Sequence, residues 1–455
     1  MSRILIRNAM LLATQDDDLG EIPGGDVLVD GKIIAEVGKN LKAEADEVID
    51  AGSCLVLPGF VNTHHHFYQV LTRCLPQVQD AKLFDWLVYL YDVWKHLSAE
   101  DLYAASRAAL AELLLTGCTQ AADHHYLCPQ GAGDFFEAEA KAAAELGIRL
   151  HMTRGSMSLG KSAGGLPPDS VIQDEDTILN DSQRVVERFH DPNPQAMCQV
   201  ALAPCSPFSV TSELMRSVAE LARKLGVRLH THLAETIDEE KFCMERFGKR
   251  PLAAMEELGW VGPDVWFAHC VHMNQAEIER MAETGTGVAH CPVSNLRLGS
   301  GIAPIPAMLE AGVPVGLAVD GSASNDSSNM LREVQTAMLV HRVGTGVDAM
   351  SARKAIKMAT VGSSRVLGRK DTGRIAVGMS ADLALFDLSG LAYAGAQADP
   401  LAALMFCGMD SRAELVMVNG QVVVRERQLV NADEHKVAEQ AFGASKALLL
   451  RAGIN

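Results

Sequence analysis

The stretch AEDLYAASRAALAELLLTGCTQAAD, residues 99–123, contains the unit on which the fold rests. Residues 99–115 read as a helix, Gly117 closes it as a C-terminal cap, and Cys118–Asp123 follows as a short apolar strand. The same order returns in Phe135–Leu146 with Gly147 and the strand Ile148–Thr153, and in Ser212–Leu225 with Gly226 and Val227–Thr231. It returns again in Gln275–Thr284 with Gly285 and Thr286–Ala289. Leu55–Thr63, Met197–Ala203, Val265–Ala268 and Val313–Val319 complete a set of eight candidate strands. Eight strand–helix units over roughly 300 residues is the arithmetic of an α/β protein with a (β/α)8 TIM-type barrel. A doubly wound open sheet alternates in the same way, so periodicity alone leaves both open.

The two ends of the chain read differently. Ile4-Leu5-Ile6, Asp26–Val29 and Lys32–Val37 are β-rich, with Asp30-Gly31 as a hairpin turn between the last two. Near the other end, Asp382–Phe386, Leu415–Val418 and Gln421–Val424 repeat the pattern, with Asn419-Gly420 as the turn. The expected organisation is a small β-sandwich domain built from both termini, residues 1–56 and 373–455 with a C-terminal helix, around a barrel at 57–372. Gly155–Asp174, with paired Gly and paired Pro, reads as a long surface loop.

Composition narrows the function classes. The chain has 455 residues, 48% hydrophobic and 21% charged, which is ordinary for a globular protein. Forty basic against 57 acidic side chains give a net charge of −17, which argues against nucleic acid or an anionic membrane as partner. No apolar run is long enough to cross a membrane. Met1–Thr14 is interrupted by Arg3 and Arg7 and leads into Gln15-Asp16-Asp17-Asp18, which reads as a first strand rather than an export signal. Ten scattered cysteines without a C-x-x-C pair read as reduced core thiols, and a cytoplasmic location is expected.

The chemistry lies at the strand ends. Thr63-His64-His65-His66 follows the first strand, and His64 and His66, two apart, share a face on an extended segment. His232 follows the fifth strand, His269 the sixth, His290 the seventh and Asp320 the eighth. In a barrel these positions gather at the C-terminal rim. Neutral imidazoles and a carboxylate together suit one divalent ion, Zn²⁺ first and Fe²⁺ as an alternative, with a position left for water. There is no phosphate loop and no His-Glu-x-x-His. Gly344-x-Gly346-x-x-Ala349 follows a helix, and Pro204-Cys205 lacks the second Cys that a cytidine-deaminase-type zinc site needs.

Leu57-Pro58-Gly59-Phe60-Val61-Asn62-Thr63-His64-His65-His66 resembles the first-strand metal motif of the amidohydrolase superfamily. His232-Leu233-Ala234-Glu235, the segment Val288–Asn295 and Val319-Asp320-Gly321 are similar to its fifth-, seventh- and eighth-strand motifs in the branch that deaminates heterocycles. The resemblance covers essentially the whole chain. It implies His64, His66, His232 and Asp320 as metal ligands, Glu235 as a proton shuttle and His269 beside the reacting water, with Asp320 also acting on that water. Binuclear members carry a lysine on the fourth strand. Met197–Pro204 has none, so one metal is expected.

Substrate contacts are thinner. Gln69 stands three residues after His66, where guanine-deaminating members place an amide that reads a purine edge. Arg154 and His125 end the third and second strands, and Leu83-Phe84-Asp85-Trp86-Leu87 is an apolar, aromatic segment able to stack on a flat ring. The run from Asn62 through Trp86 to Tyr126 resembles the family's oxidised-purine deaminases, with 8-oxoguanine as the expected substrate. Isoxanthopterin, guanine and hydroxytriazines are the alternatives; a cyclic-amide hydrolase and a non-catalytic scaffold are more distant ones. The expected partner is therefore a small heterocycle, and a homodimer is compatible with the sequence.

Overall fold

The computed structural model describes residues 3–408 and 412–454. Met1, Ser2, Met409, Asp410, Ser411 and Asn455, which the sequence reading assigns to the domain built from both termini, lie outside the described residues.

Eight parallel strands close into a barrel: Phe60–Asn62, Cys118–Ala122, Arg149–Ser156, Cys198–Pro204, Arg228–Leu233, Val265–His269, Gly287–His290 and Val315–Leu317. This is the TIM-type architecture, and the open-sheet alternative falls away. The four helices read from the sequence occupy Ala99–Leu115, Phe135–Leu146, Ser212–Leu225 and Gln275–Thr284. Ser98 and Asn274 start two of them with reciprocal capping boxes. Gly147, Gly226 and Gly285 end three in the left-handed conformation. The lumen holds small side chains, Ala122, Ala201, Ala289 and Ala318, packed around Trp266. That leaves room above them for a layer of histidines.

The terminal segments form two further sheets. One has four strands in the order Ile33–Gly38, Gly25–Asp30, Arg3–Ala9, Glu47–Asp50. The other has seven strands and mixes both ends of the chain, since Cys54–Pro58 lies between Leu383–Asp387 and Leu11–Ala13. Their facing sides share one apolar core that includes Ile6, Val29, Ile375, Leu383 and Met417. The Asn419-Gly420 turn has positive φ at both residues, 51° and 77°, as a two-residue hairpin turn requires. The first hairpin turns at Gly31-Lys32, one residue later than expected, because Asp30 pairs with Ile33.

The sequence reading of Leu55–Thr63 as one strand needs correcting. The chain breaks at Gly59: Cys54–Pro58 belongs to the seven-stranded sheet and Phe60–Asn62 to the barrel. A Cβ on Gly59 would stand 2.1 Å from Thr119 Cγ2, so only glycine allows the second barrel strand to pass this closely. Arg149 joins the two halves again. Its buried guanidinium donates to both carboxylate oxygens of Asp382, at 2.6 and 2.9 Å, and to Asn419 Oδ1 at 2.8 Å. No helix among the described residues is long and apolar enough to cross a membrane. All ten cysteines are free.

Candidate metal centre and active site

At the C-terminal rim the hydrogen bonds of the histidines decide which ring atoms face inward. His66 Nδ1 lies 2.8 Å from the carbonyl of His124, and His232 Nδ1 lies 2.6 Å from that of Cys205. A carbonyl only accepts, so both Nδ1 atoms carry the proton and both Nε2 atoms present lone pairs. His64 reaches the same state through one more ring. His230 Nδ1 donates to the Trp266 carbonyl at 2.9 Å, and His230 Nε2 then accepts from His64 Nδ1 at 2.7 Å. His64 Nε2 is left buried without a hydrogen-bond partner.

These three Nε2 atoms converge. Those of His66 and His232 are 3.2 Å apart, and those of His64 and His66 each lie 3.3 Å from Asp320 Oδ1. Lone pairs crowded this closely, with no proton between them, repel one another unless a cation sits among them. The donor set, three imidazole nitrogens and a carboxylate oxygen, fits a divalent ion such as Zn²⁺. Asp320 is itself held: Ser294 Oγ donates to Oδ2 at 2.5 Å, Ser324 Oγ to Oδ2 at 3.2 Å, and Gly321 N to Oδ1 at 2.7 Å.

Two more titratable groups border this cluster. His269 donates through Nδ1 to Asn295 Oδ1 at 2.8 Å, which turns Nε2 toward Glu235 Oε2, 3.6 Å away, and Asp320 Oδ2, 3.9 Å away. Burial works against a charged His269, but Glu235, Asp320 and Asn295 outweigh it and hold the ring above its ordinary value. Burial pushes the Glu235 carboxyl up to about 7; His269 opposes that rise and Asp320 adds to it. Ala234, His269 and Asp320 all have positive φ, at 51°, 72° and 62°. Such backbone strain in non-glycine residues clusters at functional sites.

A cavity opens beside Glu235 and His269. Gln69 and Trp86 line it, together with Leu83, Leu87, Tyr91, Phe208 and Leu298 as apolar wall and Tyr126, Ser206 and Ser324 as polar points. Gln69 Oε1 accepts from Ala323 N at 3.2 Å, so this oxygen is already engaged.

Arg154 and His125 were expected to contact the ring, and the structure places both elsewhere. His151 faces the lumen against Trp266, so Arg154, of opposite parity on the same strand, points to the surrounding helices. There each of its three guanidinium nitrogens donates, to Asp181, the Gly155 carbonyl and Gln173, and it lies over Phe136. His125 stacks on Phe135 with ring centroids 4.9 Å apart. His124 is the inward-facing residue instead: its ring stacks on His232 at 4.7 Å, and it joins His64, His66 and His232 in one cluster of metal-capable donors. His290 points away from the lumen and meets His341, at 3.1 Å between Nε2 atoms. The residues not singled out from the sequence are His124, His230, Ser294, Asn295 and Ser324. For His124 a signal was present, since Ala122, of the same parity, faces the lumen.

Residues 55–423 match the model of the amidohydrolase family. The chain belongs to that family. As an amidohydrolase it is a hydrolase of C–N bonds, and metal dependence is a property of the family. The chain is 48% identical to an 8-oxoguanine deaminase of Pseudomonas aeruginosa, over 99% of this chain and 100% of the relative. It is 38% identical to a hydroxydechloroatrazine ethylaminohydrolase of Pseudomonas sp. strain ADP, over 94% of this chain and 92% of the relative. The structure of an atrazine chlorohydrolase from Arthrobacter aurescens TC1, complexed with zinc, superposes with a TM-score of 0.93 at 35% identity, covering 97% of this chain and 100% of that one.

Proposed function

We propose that this amidohydrolase is a mononuclear deaminase of an oxidised purine, which converts 8-oxoguanine and water to urate and ammonia. The observation that carries the reading is the placement of Glu235 and His269 on one side of Asp320, against three converging histidine Nε2 atoms. The 48% identity to an 8-oxoguanine deaminase over nearly the whole chain supports the choice of ring.

His64, His66, His232 and Asp320 would hold the ion, with Zn²⁺ favoured by the zinc in the atrazine chlorohydrolase structure and Fe²⁺ as the alternative. The ion, when bound, supplies an acidified water near neutral pH. Asp320 and His269 orient that water toward the ring carbon that bears the amino group and take up its proton. Glu235 gives a proton to the adjacent ring nitrogen, the proton taken from the water passes to the leaving amine, and Glu235 regains its own from the hydroxyl as the carbonyl forms and the C–N bond breaks. A carboxyl whose pKa lies at about 7 can hold and release a proton at working pH. Trp86 and Phe208 offer faces for the flat ring, and the Gln69 amide can meet a purine edge. Arg154 and His125 have no part in this reading. Ten unpaired thiols support a cytoplasmic location.

The test is ammonia release from the zinc-loaded enzyme on 8-oxoguanine, guanine, isoxanthopterin and a hydroxytriazine. Fastest release from 8-oxoguanine, with urate formed, is the expected result. Preference for another ring would refute the substrate assignment and keep the chemistry. No ammonia from any ring would refute deamination.

A further inference from the structure

Glu235 stands on a backbone turn that an ordinary side chain resists. The fifth strand ends at Leu233, and Ala234 then takes a φ of +51° before the helix Ile237–Phe247 begins. A second carboxylate holds this turn. Glu239, in the first turn of that helix and 1% exposed, accepts from Ala234 N at 2.8 Å through Oε1 and from Glu235 N at 3.1 Å through Oε2.

The contact differs from ordinary helix capping. In a capping box the third helical residue bonds back to the N-cap amide. Here the N-cap is Thr236, and the Glu239 side chain reaches beyond it to the two preceding amides. The placement works against charge as well. Glu239 lies four residues from Glu235, both are buried, and no lysine or arginine among the described residues pairs with Glu239. A leucine here would pack without repulsion but would leave two buried N–H groups unpaired. What the carboxylate achieves is a fixed orientation of two successive peptide units, Leu233–Ala234 and Ala234–Glu235, which aim Glu235 at His269.

We propose that Glu239 is a positioning residue: its two backbone hydrogen bonds lock the Ala234–Glu235 turn and thereby set the Glu235 carboxylate against His269 and Asp320. The proposal rests on the reading of Glu235 as the proton shuttle. Glu239 does not line the cavity, and it acts through Glu235.

The experiment compares zinc-loaded Glu239→Ala, Glu239→Gln, Glu235→Gln and the Glu235→Gln/Glu239→Ala double variant, on the ring that the wild-type enzyme deaminates fastest. Misplacement by about 1 Å costs on the order of 100-fold, so Glu239→Ala should lower kcat about 100-fold while KM stays within about threefold. Zinc content should stay at the wild-type level. Glu239→Gln, which keeps one acceptor oxygen and the shape of the side chain, should fall between wild type and Glu239→Ala, and it serves if Glu239→Ala does not fold. In the Glu235→Gln background the second change should cost less than about twofold, since neighbours that act through one group are not additive. Wild-type kcat in both Glu239 variants would overturn the proposal. So would an equal loss in the two backgrounds, or loss of zinc, either of which marks a general structural role. A full rate in Glu235→Gln would instead overturn the shuttle reading, and this proposal with it.

Discussion

Replacing His230 by phenylalanine tests how the metal centre is prepared. His230 does not line the cavity, but among the described residues it is the only acceptor for His64 Nδ1, at 2.7 Å, and its own proton is fixed by the Trp266 carbonyl. Its ring also stacks on Trp266, with centroids 4.4 Å apart and planes 12° from parallel. Phenylalanine keeps that stack and removes the acceptor. His64 Nδ1–H would then be buried and unpaired, which costs about 1–3 kcal/mol. The ring escapes by moving its proton to Nε2 or by rotating, and either change spoils the lone pair aimed at the ion. Loss of such an outer partner weakens metal affinity by about 10–100-fold. The assay is competition for zinc against a chelator of known affinity, with wild type and His230→Phe titrated side by side. Equal zinc affinity in the two proteins, in a variant that melts at the wild-type temperature, would refute the reasoning that the His64–His230–Trp266 chain sets the tautomer.

Three further outcomes follow from the same geometry. His64→Ala or Asp320→Ala should abolish both zinc retention and ammonia release, and retention of one zinc per chain in either would remove the assigned ligand set. Glu235→Gln should keep zinc and lose turnover by about 10²–10⁴-fold, the usual worth of a positioned acid–base group; stopped-time ammonia assays would show it. Glu333 is fully buried, receives Val293 N at 3.3 Å and the Asn325 amide, and is pushed up to about 8 by burial. Its raised pKa means the folded state holds a proton that the unfolded chain has released, so stability falls as pH rises from about 4.5 to about 8. Urea titrations across that range should show a shallower fall for Glu333→Gln than for wild type, and identical slopes would count against the assignment.

The barrel was legible because its signals are local. Gly147, Gly226 and Gly285 mark helix ends within the chain itself, and His64 and His66 share a face by the parity of an extended segment. Parity also says which strand-end residues face the lumen. His125 and Arg154 fall on the outward side of their strands, whereas Ala122 places His124 inside. His230 and Asn295 were out of reach for a different reason. Their value comes from the hydrogen bonds they make to His64 and His269, which are 166 and 26 residues away, and no spacing rule announces such a contact. The break at Gly59 lies in the same class, since its cause is Thr119 on the neighbouring strand.

The strand Cys54–Pro58 has a consequence for the order in which the newborn chain can mature. One of its neighbours, Leu11–Ala13, precedes it, but the other, Leu383–Asp387, is made more than 300 residues later. At about 5–20 residues per second, that interval lasts on the order of 15–65 s of synthesis. Throughout it, one row of amides and carbonyls on Cys54–Pro58 stays unpaired, immediately before the segment that delivers His64 and His66 to the rim. Arg149 likewise waits, buried only when Asp382 and Asn419 arrive. A ribosome that stalls in the last fifth of the message therefore leaves behind a barrel whose own strands are all made, entered by a strand, Cys54–Pro58, that is still paired on one side alone.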